Sequence, residues 1–183
     1  MASAMRKKSP ETTIKILQAA RALVLETGLK ATAMEAIAAR AGIAKGTLYA
    51  YFPDKSAVFA ALVEDLAQAK SEAFAEAFVG DDPIAERVGR GLAAKFGVAA
   101  DLLEGSPYAH ELIGEHSHLA PRLETADTAI GEVIVAEMTG AGIEDAEKIV
   151  PVLMAACFGV LGKFTTGREV RAGVTLLCER MVR

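Results

Sequence analysis

Thr32 to Lys55, TAMEAIAARAGIAKGTLYAYFPDK, reads as a short helix, a glycine turn and a second short helix, and this stretch decides the fold. Thr32 stands three residues before Glu35, the spacing of a capping box in which each side chain satisfies an orphan backbone N–H near the helix start. Ile37, Ala38 and Ala41 make the apolar face of the first helix. Gly42 supplies the backbone freedom of a tight turn, Ile43 plugs the angle between the helices, and Leu48 and Tyr51 point back from the second one. Lys45, Gly46, Thr47, Tyr49 and Ala50 remain outward. A cation, a hydroxyl, a phenol and two small residues suit close approach to a phosphate backbone and a groove.

Charge follows the same division. The 183-residue chain carries a net −4, yet residues 1–55 hold nine Lys or Arg against four Asp or Glu, while residues 56–183 hold eleven against twenty. A basic first third inside an acidic chain is a local footprint for a polyanion, and it continues into the arm of residues 1–10 through Arg6, Lys7 and Lys8.

From Ile16 through Lys55 the chain resembles the amino-terminal domain of the TetR family of transcriptional regulators. Ala20, Gly28, Thr32, Ile37, Ala38, Ala41, Gly42, Ile43, Gly46, Thr47, Leu48, Tyr49, Phe52 and Lys55 carry the match. The resemblance implies an operator-binding homodimer in which Lys45, Thr47, Tyr49 and Lys55 touch DNA, with Lys55 on a phosphate at the start of the next helix; Thr32, Gly46 and Ala50 complete the expected contact surface. Two positions depart from the family pattern. Ala44 stands where a serine is usual, so the second helix lacks a capping hydroxyl worth about 1 kcal/mol. Val24 stands where a phenylalanine is common.

Beyond Lys55 nearly every segment has helical periodicity, broken by Gly, Pro and short acidic caps, with no alternating run long enough for a strand. The expectation is an all-α chain of about nine helices: a helix-turn-helix domain over 1–55 and an effector-binding and dimerisation domain over 56–183. The first helix should cover Glu11 to Glu26 and stop at Gly28, and the fourth should run from beyond Asp54 to about Val79. Asp82 with Pro83 should cap a fifth reaching roughly Glu104, and Ser106 with Pro107 a short sixth. The last three should lie near 120–139, 145–165 and 168–182. No eighteen-residue uncharged apolar run or signal peptide is present, so the cytoplasm is the expected location. Cys157 and Cys178, far apart in apolar helices, read as reduced core residues rather than a disulfide framework or zinc site.

Three partial motifs point nowhere. Gly89, Gly91 and Ala94 fall within a helix rather than after a strand, Phe164 replaces the hydroxyl residue that a phosphate loop needs after Lys163, and Gly114 stands where a zincin would place its second histidine after His110. No metal, cofactor or catalytic constellation is expected. His110, His116 and His118 share the stretch HELIGEHSH, where they complement a helix carboxyl end or make polar contacts to an organic effector. Phe74, Phe78, Phe96, Tyr108, His110 and Met138 are the candidate effector contacts, each weighed against a simple core role. Ala155, Gly159, Gly162, Val174 and Leu177, on two apolar carboxy-terminal helices, are the candidate dimer interface.

These features converge on a DNA-binding transcriptional regulator without enzymatic activity, a repressor released from a palindromic operator by a small molecule. The competing class is a helical enzyme or small-molecule carrier with a vestigial DNA reader. Salt-sensitive binding to one DNA sequence separates the two.

Overall fold

A computed structural model describes residues 9–108 and 120–182. Among these residues there are eight helices and no strand. They are α1 (Pro10–Ala31), α2 (Met34–Arg40), α3 (Lys45–Tyr51), α4 (Lys55–Phe78), α5 (Ile84–Leu103), α6 (Ala120–Gly140), α7 (Ala146–Lys163) and α8 (Gly167–Met181). The short helix expected after Pro107 falls almost wholly outside the described residues, as do Arg6, Lys7, Lys8 and all three histidines. Two compact units form, one from the described residues within Met1–Val63 and Ser106–Leu112, the other from those within Glu64–Gly105 and Ile113–Arg183.

In the first unit Ile16, Ala20, Val24, Ile37, Leu48 and Val58 make the core. The first helix breaks at Gly28 as expected, at φ 82°, and one further turn continues α1 up to Ala31. Thr32 closes that turn: its amide and its hydroxyl both donate to the Gly28 carbonyl, the hydroxyl at 2.8 Å. The expected capping box therefore does not form. Ala33 is the residue preceding α2, and no side chain caps that helix. Asp54 does cap α4, its Oδ1 accepting from the Ala57 amide at 2.8 Å.

In the second unit α5 is central. Val88, Leu92, Phe96 and Ala99 recur at three- and four-residue steps on its buried stripe, packing chiefly against α8. Gly91 lies on the same helix because Phe74 and Phe78, stacked with centroids 4.8 Å apart, occupy the space of a side chain: a Cβ there would sit 2.8 Å from Phe74 Cε2. Gly91 of the dinucleotide-like spacing is thus a packing device. Asp82, expected as a cap for α5, instead pairs with Arg90 at 2.8 Å, and Pro83 takes the position before the helix. Thr166 caps α8, accepting from the Glu169 amide. Cys157 and Cys178 are free and buried. No helix among the described residues is long and apolar enough to cross a membrane.

Candidate nucleic-acid interface and ligand groove

The turn between α2 and α3 is a Schellman closure. The Ile43 amide donates to the Ala38 carbonyl at 3.0 Å and the Gly42 amide to the Ala39 carbonyl at 3.2 Å, with Gly42 at φ 66°. A side chain at that φ would be strained, so glycine sets the angle at which α3 leaves. Leu48 is fully buried and anchors α3. Lys45, Gly46, Tyr49 and Ala50 are exposed and Thr47 is half-buried, so four of the outward residues read from the spacing do share an open face. Nothing lies within 4 Å of where a Gly46 Cβ would stand, leaving backbone open to a close approach. Tyr51 turns the other way, its hydroxyl accepting from the Ser9 amide at 2.7 Å.

Two expected contact residues are placed otherwise. Thr32 is only 2% exposed with its hydroxyl on Gly28, so it supports the entry to α2 and presents nothing to DNA. Lys55 does open α4, but its ammonium donates to the Leu29 and Lys30 carbonyls at 2.9 and 3.1 Å. Lys45 is held across the turn by Glu35, Nζ to Oε1 2.5 Å, and this hydrogen-bonded lysine keeps the Glu35 carboxyl below its ordinary pKa. Ala44 has the extended conformation of a cap residue and no side-chain cap, in keeping with the absent serine.

In the second unit Phe74, Phe78, Phe96 and Met138 are core residues, at most 8% exposed, and none borders the principal concavity. These four candidate effector contacts are thus packed in the core and do not line that concavity. Tyr108 belongs to the first unit, and His110 lies outside the described residues. The concavity is instead an open groove of about 840 Å³ between α6 and α7. Its apolar wall includes Val135, Val150, Met154 and Phe158, and Glu124, Glu132 and Glu147 stand at its exposed margins.

Asp127 also lines this groove, and two buried lysines meet on it. Lys70 Nζ lies 3.1 Å and Lys95 Nζ 2.8 Å from the same oxygen, Asp127 Oδ1. Lys95 is wholly buried, and Asp127 Oδ1, which also accepts from Lys70, is the acceptor within reach of its ammonium among the described residues. The faces of Phe96 and Phe158 lie 4.0 and 5.4 Å from it. Burial, and then the neighbouring Lys70 charge, lower its pKa from 10.5 to about 8, although Asp127 opposes the shift. This triad was missed in the sequence reading. Its signal was present: Lys70 lies among Ala67, Phe74 and Phe78 on α4, and Lys95 among Val88, Leu92 and Ala99 on α5, so both charges fall on buried stripes.

On α7, Ala155, Gly159 and Gly162 are exposed beside Val152, and a Cβ at either glycine would meet nothing within 4 Å. These glycines are not shaped by a neighbouring helix of their own chain. Val174 differs: it is 0% exposed in the core of its own protomer and offers no surface to a partner. Leu177 is partly buried against the same core, whereas Leu176 is 53% exposed.

Residues 16–62 match the profile of the family described as bacterial regulatory proteins, tetR family. No curated protein matches the sequence. The fold recurs in solved structures over nearly the whole chain. The fatty acid degradation regulator FadR from Bacillus halodurans superposes with a TM-score of 0.75 at 18% identity, covering 96% of this chain and 98% of its own. A TetR-like transcriptional regulator from Rhodococcus sp. RHA1 gives 0.72 at 23% identity, over 95% of each chain. A transcriptional regulator of the TetR/AcrR family from Thermobifida fusca gives 0.73 at 22%, over 94% of this chain and 99% of its own. At these identities the likeness is one of fold.

Proposed function

We propose that this chain, a member of the tetR family of bacterial regulatory proteins, is a homodimeric repressor that occupies a palindromic operator and leaves it when a small organic molecule fills the α6–α7 groove. The observation that carries the DNA reading is the open face of α3, where Lys45, Gly46, Tyr49 and Ala50 stand exposed beyond a glycine-closed turn. DNA binding falls to residues 1–55 with the basic arm of 1–10, and ligand binding and dimerisation to residues 56–183. The protein works in the cytoplasm and needs no catalytic step. Two recognition helices enter successive major grooves only when they stand about 34 to 36 Å apart, so a ligand that favours another separation lowers operator affinity. Ala155, Gly159 and Gly162 with Val152 and Leu176 supply an exposed apolar surface of the kind a two-fold helix bundle buries.

Selection of genomic fragments by the purified protein, followed by footprinting, tests this reading. The expected result is a small set of palindromic sites with two protected half-sites about one helical turn apart, bound less tightly as salt rises. Binding without sequence preference, or no binding at all, overturns it.

A further inference from the structure

Through its lining residue Asp127 the α6–α7 groove adjoins a buried charged cluster that its apolar wall does not explain. Lys70 and Lys95 are 5% and 0% exposed, and among the described residues they have one carboxylate oxygen between them, Asp127 Oδ1. A buried group of two cations and one anion carries a surplus positive charge. Lys95 shares its nearest acceptor, Asp127 Oδ1 at 2.8 Å, with Lys70, and its remaining ammonium donors find no other acceptor among the described residues, an arrangement that costs more in a low-dielectric interior than in water. Proteins retain such a group where something else completes it. What lies between Lys95 and the groove is Asp127 and the Phe158 ring, and both are groove-lining residues. Phe158 is 40% exposed and meets the core ring of Phe96 edge-on with centroids 5.1 Å apart, so turning it outward gives up that single aromatic contact.

We propose that the groove binds an organic monoanion, an apolar body ending in a carboxylate, whose head enters past Phe158 and accepts hydrogen bonds from Lys95 and Lys70 beside Asp127. Val135, Val150 and Met154 receive the apolar body. The carboxylate brings the buried charge of the cluster to zero and supplies Lys95 with the acceptors it lacks. Glu124, Glu132 and Glu147 do not oppose this, because they are exposed at the groove margins, where water and salt screen them within about 8 Å, while the lysines act through a dry interior. A cationic ligand meets the reverse situation, with two ammonium groups beside Asp127. The inference deepens the effector reading and rests on the groove being the ligand site.

Calorimetry on the full-length protein with octanoate, benzoate, octan-1-ol, benzyl alcohol and octylammonium as probes tests the charge preference directly. At least one carboxylate should bind about tenfold or more tighter than the alcohol of the same skeleton, the range expected for hydrogen bonds to a charged group. Lys95→Met removes the charge and keeps the length of the side chain, and it should abolish that preference; Lys70→Met should weaken it. Melting curves establish that each variant is folded. The proposal is overturned if no carboxylate exceeds its alcohol, if octylammonium binds as tightly as octanoate, or if folded Lys95→Met keeps the preference. The operator is scored separately: a carboxylate that binds through Lys95 but leaves the operator occupied supports the anion site and overturns the release mechanism, whereas release by the alcohols alone does the opposite.

Discussion

Lys55 and Leu29 are joined by a hydrogen bond from the lysine ammonium to the leucine carbonyl at 2.9 Å, which ties the first residue of α4 to the last turn of α1. A second bond to the Lys30 carbonyl leaves one of the three ammonium donors for a phosphate. One side chain thereby braces the α1–α4 junction and keeps an ammonium donor available.

Lys55→Ala should consequently have two effects. Loss of a phosphate contact weakens binding to every DNA sequence alike and lowers the slope of log K against log salt by about one. Loss of the carbonyl contacts should also lower the melting temperature of the DNA-free protein. A stability loss with an unchanged salt slope would show that Lys55 is purely structural.

Glu35 should restrain DNA binding through Lys45. Its carboxylate holds the exposed lysine 2.5 Å away and sets a negative charge beside the α3 face. Glu35→Gln is expected to tighten operator binding by freeing the cation, and Lys45→Ala to relax preference at one operator position by about 1 to 3 kcal/mol. Base-by-base affinity measurements on wild type and both variants check this; a Glu35→Gln variant that binds more weakly would assign the pair a positioning role.

Helix positions and the turn at Gly42 were legible in the sequence because they depend on residue type at short spacing: apolar steps of three and four, a glycine, a proline. The α2 cap was not. Thr32 and Glu35 satisfy the capping-box spacing, but the break at Gly28 creates a nearer carbonyl that takes the Thr32 hydroxyl. The α6–α7 groove was not legible for a related reason. Aromatic residues attract attention as pocket walls, yet Phe74, Phe78 and Phe96 are the residues with most apolar area to bury and therefore fill the core. Lysines on apolar stripes of two different helices were the better sign, and only tertiary packing brings them to one aspartate 57 positions from Lys70.

Gly91→Ala should destabilise the second unit although alanine is the better helix former. Its Cβ would stand 2.8 and 2.9 Å from two Phe74 ring atoms and 3.3 Å from Phe78, and neither ring has room to retreat in a core where both are at least nine-tenths buried. Overpacking of this kind costs about 1 to 3 kcal/mol, more than the roughly 1 kcal/mol gained in helix propensity. Urea unfolding measures the balance, and an unchanged midpoint would mean that the stacked pair shifts freely.

Gly159→Leu isolates the dimer surface from the fold. The position is exposed and nothing in its own protomer approaches a Cβ there, so the leucine adds no intrachain clash. In a two-fold helix contact it should overpack by about 1 to 3 kcal/mol for each subunit. Sedimentation should then show folded monomers and footprinting a loss of joint protection of the half-sites. A fully dimeric variant would move the interface elsewhere.

Lys95 should make stability depend on pH in the alkaline range. Burial lowers its folded-state pKa from the ordinary 10.5 to about 8, so between these values the unfolded chain binds more protons than the folded one and stability rises with pH. Below pH 8 the full penalty of the buried charge is present; above 10.5 it is gone. Lys95→Met carries no such penalty, so it should be more stable than wild type at pH 7, with an advantage that shrinks by up to about 3 kcal/mol on going to pH 10.5. Taking the difference between the two proteins in urea unfolding at several pH values cancels the titration of tyrosines and exposed lysines common to both. A difference that stays flat from pH 7 to 10.5 would mean that the Lys95 ammonium is as well solvated in the fold as in water. The desolvation that makes Lys95 favour a ligand carboxylate would then be absent, although its charge would remain.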